Sequence, residues 1–252
     1  MYPSATIRHY LKRGLRQLAE GLLELVWPTR CVGCEKHGTL LCGSCQEELS
    51  CIDQTLACPR CGAPLGRLVC TECTTVYEDQ PKDLPFTQAR CAWEFNRLSR
   101  RIITFYKDRG EQRLATLLAA TLAGVIPLEW RLWADLVTWI PADAEAIKRR
   151  GFDHVAMIAV PFAQKCGLRI NPLLMKRPHE DQRRLGREGR KRNMRAAFSL
   201  KEGVESRLPA TMRNIILVDD VFTTGATLSA ATEVLLAAGA KEVRVVTVCR
   251  VW

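Results

Sequence analysis

Two sets of side chains in this 252-residue chain have types and spacings that can do chemistry. The first is the stretch Ile215-Ile-Leu-Val-Asp219-Asp220-Val221-Phe222-Thr223-Thr224-Gly225-Ala226-Thr227. Four β-favouring apolar residues predict a buried strand, and a helical pattern from Ala226 to Ala238 begins directly after a short loop of hydroxylated residues and one glycine. Such a loop presents backbone N–H groups and hydroxyls where the helix dipole favours an anion, so a phosphate can sit there without a buried lysine. The adjacent carboxylates leave the strand at its C-terminal end, where open α/β sheets place ligands, and carboxylates accept hydrogen bonds from sugar hydroxyls. These residues suit a phosphorylated sugar. As an ordinary strand-to-helix turn, the same stretch would use Thr223 and Thr224 as helix caps, but capping has little use for two carboxylates and three threonines.

The second set is eight cysteines in four pairs, Cys31-x-x-Cys34, Cys42-x-x-Cys45, Cys58-x-x-Cys61 and Cys70-x-x-Cys73. A two-residue gap lets both thiolates of a pair reach one ion, and two pairs complete a closed tetrahedral site, so two structural zinc ions are expected. The intervening lengths of seven, twelve and eight residues favour first pair with second and third with fourth, although spacing leaves a crossed pairing open. Disulfides would need an oxidising compartment that no signal indicates, and a thioredoxin-like site would show one such pair rather than four. Cys51, Cys91, Cys166 and Cys249 read as buried thiols.

The elements that must position these groups follow from periodicity. Ile7, Leu11, Leu15, Leu18, Leu22 and Leu25 predict an amphipathic helix over residues 1–27, ending before Pro28. Residues 28–78 form the cysteine-rich module, Asp79 to Pro85 reads as a linker, and residues 86–252 alternate strand and helix patterns. Arg90–Phe95, Leu136–Ile140, Ile170–Met175 and Val243–Val251 read as strands, with Pro172 marking an edge. Leu98–Lys107, Arg113–Val125 and Phe152–Gly167 read as helices, the last with Pro161 inside it and therefore expected to kink. Lys148-Arg149-Arg150-Gly151 reads as a basic loop. The order predicts a parallel α/β sheet flanked by helices.

Charge is placed unevenly. The formal net charge is +10, yet residues 1–90 hold ten basic and ten acidic residues, while residues 148–195 hold fourteen and four. Within the latter, Lys176 to Arg195 has little apolar periodicity and is expected to form a mobile basic flap contacting single-stranded nucleic acid through Arg183, Arg184, Arg187, Arg190, Lys191 and Arg192. No run of about twenty apolar residues occurs, and the N-terminus lacks a convincing signal-peptide pattern, so a cytoplasmic protein is expected.

Val218 to Ala230 resembles the 13-residue phosphoribosyl pyrophosphate (PRPP) loop of type I phosphoribosyltransferases. With the cysteine module ahead of it, nearly the whole chain resembles the ComF proteins, through Trp27-Pro28-x-x-Cys31, Lys107, Ile140-Pro141, Arg150-Gly151-Phe152, Gln182, Arg190, Asn193 and Phe198. The resemblance implies a phosphoribosyltransferase-like domain with an N-terminal zinc-ribbon module, acting in competence, DNA uptake or the use of incoming DNA, with a DNA-uptake helicase as a partner. It implies that Asp219 and Asp220 contact the ribose hydroxyls directly or through Mg²⁺, that Val221 to Thr227 bind PRPP, and that Lys148, Arg149 and Arg150 are candidates for holding pyrophosphate. Departures occur at Asp153-His154, where relatives usually have Asn-Gln, and after Pro141, where a second proline is usual. Purine-salvage relatives commonly have aspartate at the position of Thr223, and a threonine is no general base at neutral pH, so the acceptor stays open. Two alternatives to a phosphoribosyltransferase also stay open: a non-catalytic nucleic-acid-binding accessory protein and a PRPP-sensing regulator.

Overall fold

The computed structural model describes residues 28–73, 84–177, 197–204, 208–209 and 211–252. The N-terminal helix expectation, residues 79–83 of the linker, and all six basic flap positions from Arg183 to Arg192 lie outside the described residues.

The chain divides into two compact units, Met1–Glu48 and Leu49–Trp252. In the first, the strand bridge between Arg30 and His37 closes a tight turn around Cys31 and Cys34, and the short helix α1 (Gly43–Glu47) carries Cys45. The second unit holds the other cysteine group together with the sheet.

That sheet comprises β1 (Gln88–Glu94), β2 (Leu136–Trp139), β5 (Asn214–Phe222) and β6 (Glu242–Arg250) in the order β1-β6-β5-β2, every pairing parallel. Ile215 to Val218 and Val243, Val245, Val246 and Val248 are fully buried, as a parallel sheet covered on both faces requires. Helices α2 (Arg97–Lys107), α3 (Leu114–Val125), α4 (Leu128–Trp133), α5 (Ala144–Arg150), α6 (His154–Cys166) and α7 (Ala226–Ala237) surround it. Alternation sorts the faces. Ile215 and Leu217 join Leu228, Ala231 and Leu235 of α7 in one cluster, which also takes in Cys58, Cys61 and Cys70. The intervening β5 positions face the side where α6 packs on α3 and on β2.

Several elements differ from their sequence expectation. The apolar run 215–218 is only the first half of β5, which continues through both aspartates because β6 pairs with it as far as Phe222 and Arg250. Residues 148–150 are the last turn of α5 rather than a loop; Asp143 caps its start, accepting from Ala146 N at 2.6 Å, and Gly151 ends it at φ 82°. Residues 170–175 do not form one edge strand. Ile170 bridges to Val137 of β2, and beyond Pro172, which has no N–H to give a ladder, β3 (Leu174–Lys176) pairs antiparallel with β4 (Phe198–Leu200) in a separate two-stranded sheet. Helix α6 runs from His154 to Cys166 with Pro161 inside it.

Candidate functional site

The eight paired cysteines gather as Cys31, Cys34, Cys42 and Cys45, and as Cys58, Cys61, Cys70 and Cys73, with the sulfurs of each group within 4.8 Å of one another. None of them is in a disulfide. A tetrahedral ion with metal–sulfur bonds of about 2.3 Å sets its sulfurs about 3.8 Å apart. Cys34 and Cys42 stand at 3.5 Å, as do Cys61 and Cys70, so both groups fit zinc. The grouping is first pair with second and third with fourth. Burial alone would raise the Cys31 thiol, but backbone N–H groups of Cys34, Cys42 and Gly33 bring it down to about 6, favouring the thiolate that a metal needs. Gly62 turns the third pair at φ 67°, and a Cβ there would meet Cys91 Sγ at 2.6 Å, so the knuckle rests directly on β1.

At the C-terminal end of β5, successive side chains point to opposite faces, separating the two carboxylates. Asp220 faces α2 and α6: its Oδ2 lies 2.6 Å from Lys107 Nζ and 3.6 Å from His154 Nε2. At 2.6 Å the Lys107 ammonium and the carboxylate form a close, charge-assisted ion pair. Asp219 points to the other face, accepts from Asp220 N at 2.9 Å, and has no ion pair among the described residues. Both are buried, 7% and 4% exposed.

Their electrostatics diverge accordingly. Burial, with the Asp220 charge adjacent, pushes the Asp219 carboxyl well above the usual carboxylate range. Burial would also raise Asp220, but the Lys107 ammonium opposes it and the outcome is a lowered pKa. Burial takes His154 down to about 4, which leaves its ring neutral at neutral pH, so Lys107 is the cation that keeps Asp220 ionised. The pair therefore consists of one held anion and one carboxyl ready to hold a proton.

Beyond the pair, Phe222 is buried edge-on against Phe86, with centroids 5.9 Å apart, and anchors the loop from below. Only its backbone is available to a ligand. Thr223, Thr224, Ala226 and Thr227 are exposed, and Gly225 is buried at φ 82°, where a Cβ would meet Phe222 Cε2 at 2.8 Å. A side chain at position 225 would therefore both clash and strain the turn. Helix α7 starts at Ala226 with no side-chain hydrogen bond from its N-cap; Ala226 N donates only a long bond to Thr224 Oγ1, 3.4 Å, and the amides that follow are left for an anion. The carboxylate donors suit a divalent cation that arrives with a phosphate ligand, since Mg²⁺ commonly takes one or two carboxylates together with phosphate oxygens and water.

Of the three basic candidates, Lys148 and Arg149 are exposed on α5, while Arg150 turns inward. Its Nη2 donates to Asp108 Oδ1 at 3.1 Å, and its Nη1 lies 3.5 Å from His154 Nδ1. Arg150 alone thus joins the chain of groups leading to Asp220. The departure at Asp153-His154 has a physical use: Asp153 Oδ1 caps α6 through Val155 N and Ala156 N, and its Oδ2 accepts from Trp139 Nε1 and Ala142 N at the end of β2. His154 then opens α6 facing Asp220, and its carbonyl accepts the Tyr106 hydroxyl at 2.5 Å. Sequence reasoning did not assign a site role to Lys107, His154 or Tyr106. The available signal was a lysine closing a helix and a histidine opening another, and neither reveals that both face Asp220.

Two family models match the chain. The phosphoribosyl transferase domain matches residues 204–251, and the double zinc ribbon domain matches residues 22–74. The DNA utilization protein YhgH of Salmonella typhi is 27% identical over 201 residues, covering 77% of this chain and 83% of its own length. The competence protein ComFC of Bacillus subtilis (strain 168) is 27% identical over 204 residues, 79% of each chain. YhgH of Escherichia coli (strain K12) is 28% identical over 202 residues, 79% of this chain and 85% of its own. A solved structure of the allosteric regulatory enzyme of purine biosynthesis aligns with 54% of this chain and 25% of that one, at 22% identity and a TM-score of 0.36. No helix among the described residues is long and apolar enough to cross a membrane.

Proposed function

We infer that this chain, a homologue of the competence protein ComFC and the DNA utilization protein YhgH, binds PRPP at the loop between β5 and α7 and serves the uptake or use of DNA in the cytoplasm. The observation that carries this reading is the conjunction at one strand end of two buried carboxyls, Asp220 paired with Lys107 and Asp219 on the opposite face, with a helix N-terminus behind exposed threonines. In this reading the 5′-phosphate takes the amides and hydroxyls of Thr223 to Thr227, and the carboxylates receive the ribose hydroxyls. Backbone groups of Val221 and Phe222 shape the entry. Arg150 is the basic group best placed to meet pyrophosphate. Mg²⁺, when bound with PRPP, would offset charge on the leaving pyrophosphate. The protein's own part in a displacement at the anomeric carbon is positioning: the carboxylates fix the ring, and the loop fixes the phosphate at its other end.

Isothermal titration of the full chain with PRPP tests this directly. One site per chain with a dissociation constant of about 1–100 μM, tightened by Mg²⁺, is the expected result, equivalent to about 5–8 kcal/mol of binding free energy. No heat and no thermal shift at millimolar PRPP overturns the reading. Release of pyrophosphate in the presence of candidate acceptors then separates a transferase from a PRPP sensor.

A second reading rests on charge. The fourteen basic against four acidic residues in 148–195 suit a phosphate backbone, so we also propose contact with single-stranded DNA through the segment holding Arg183, Arg184, Arg187, Arg190, Lys191 and Arg192. Changing these six to serine is expected to reduce the log–log salt slope of oligonucleotide binding by about 0.7 per lost contact, equally for unrelated sequences. An unchanged slope rules that segment out as the contact. A DNA-uptake helicase is the protein partner this reading favours.

A further inference from the structure

At the end of β6, Arg250 is fully buried, an unusual place for a guanidinium, and its hydrogen bonds run to two separate parts of the unit. On one side, Nε donates to the carbonyl of Cys61 at 3.0 Å, and Nη2 pairs with Glu72, which stands between Cys70 and Cys73. On the other, Nη1 donates to the carbonyl of Thr223 at 2.9 Å and reaches that of Phe222 at 3.5 Å, while the guanidinium carbon sits 4.3 Å from the centre of the Phe222 ring. The carbonyl of Val251 completes its partners. One side chain thus joins a metal-ligand knuckle to the first residues of the candidate phosphate loop.

We propose that Arg250 is a positioning residue through which the metal state of the second cysteine group sets the conformation of the PRPP loop; this rests on the PRPP reading above. A guanidinium is a rigid fork, so fixing two of its nitrogens on Cys61 and Glu72 fixes where the third aims. That nitrogen holds the Thr223 and Phe222 carbonyls inward, and holding those carbonyls inward turns the following amides toward solvent, where a phosphate would meet them. With zinc on its four thiolates the knuckle presents the Cys61 carbonyl and Glu72 at fixed positions. Without it both anchors are free to move, and the fork loses its aim. The three-donor ammonium of lysine can replace the charge but not the fork.

Coupling of this kind is reciprocal: if zinc favours PRPP, PRPP must favour zinc at the same site. The test uses the zinc-loaded full chain and follows transfer of zinc to a chromophoric chelator, with and without PRPP and Mg²⁺. PRPP is expected to slow release of one of the two zinc ions about five- to tenfold, within the usual range for coupled sites, and to leave the other unchanged. In Arg250→Lys, zinc content should stay at two per chain, PRPP affinity should fall about tenfold, and the protection of zinc should disappear. A residue serving only the fold would lower stability without abolishing that selective protection. Should Arg250→Lys fail to fold, Glu72→Gln, which leaves every thiolate in place, is expected to weaken the protection in the same way. If wild type binds PRPP but loses both zinc ions at unchanged rates, or if both variants retain the protection, the proposal is wrong and the PRPP reading stands. If wild type does not bind PRPP at all, both fall together.

Discussion

Changing Asp220 to asparagine is expected to weaken PRPP binding about 100-fold or more and to lower stability by about 2–3 kcal/mol. Asp219→Asn is expected to weaken binding comparably while leaving the unliganded fold as stable as wild type or more so. The binding loss is shared because a bound cation draws Asp219 into its ionised form as well, so each asparagine removes a charge-assisted contact with sugar hydroxyls or cation. Stability separates them. Asparagine at 220 leaves the Lys107 ammonium without its counter-ion, and since the Lys107 side chain is 26% exposed, water recovers only part of the loss. Asparagine at 219 replaces a carboxyl that burial and the Asp220 charge already incline to hold a proton.

The dependence on pH gives each a signature of opposite sign. Asp219 has a folded pKa above the ordinary 3.8, so the folded state binds its proton more tightly. Its contribution is present below that ordinary value and is lost as pH rises through the folded one. Asp220 has a folded pKa below 3.8, so its contribution is present above 3.8 and is lost as pH falls through the folded value. Because His154, lowered to about 4 from 6.5, adds stability as pH rises over the same window in both proteins, the Asp219 signature is the difference between them: in denaturant titrations from pH 3 upward, wild type should lose stability relative to Asp219→Asn above about pH 4. If Asp220→Asn proved as stable as wild type, the Lys107 pair would have no energetic content.

Cys61→Ser carries the largest expected effect on stability. It should reduce zinc from two ions per chain to about one and lower the midpoint of thermal unfolding by more than about 10 °C. The reason is where the second cysteine group sits in the core. Cys58, Cys61 and Cys70 are buried in the same cluster as Ile215, Leu217 and Leu228, so metal loss opens the cluster beneath the sheet rather than a separate appendage. Calorimetry of the variant, with metal analysis on the same sample, checks both numbers. Retention of two zinc ions would refute Cys61 as a ligand, and an unchanged midpoint would refute the metal's hold on the core cluster.

What the sequence made legible was local. The acidic pair, the Thr-Gly-Ala-Thr loop and the helix that follows are contiguous, so chemistry and geometry are written together over residues 215–238. The cysteine pairs are likewise short-range, and the two groups they form are those the spacing favours. What escaped was non-local or depended on partners. The length of β5 is set by β6, so an apolar run could mark only its first half. Lys107, His154 and Asp220 come from three separate elements, and no spacing announces their meeting. Arg250 ends a valine-rich strand, where a single basic residue looks like the point at which the chain reaches solvent; instead it is wholly buried. Strand β4 is three residues long, and α4 and α5 are six and seven, too short for periodicity to register.

β1 lies at the border of the sheet, and a border strand offers a row of unpaired amides and carbonyls to any other extended chain. Here that row is taken by the segment leading into the second cysteine group: Ile52 N donates to the Ala92 carbonyl, Glu94 N to that of Ser50, Ala89 N to that of Pro59, and the Gln54 amide covers the Cys91 carbonyl. The segment has few large side chains of its own, so its hold on β1 leans on the metal a few residues further on. Removal of zinc is therefore expected to promote aggregation as well, by baring a seven-residue template on which a second copy can add its own strand.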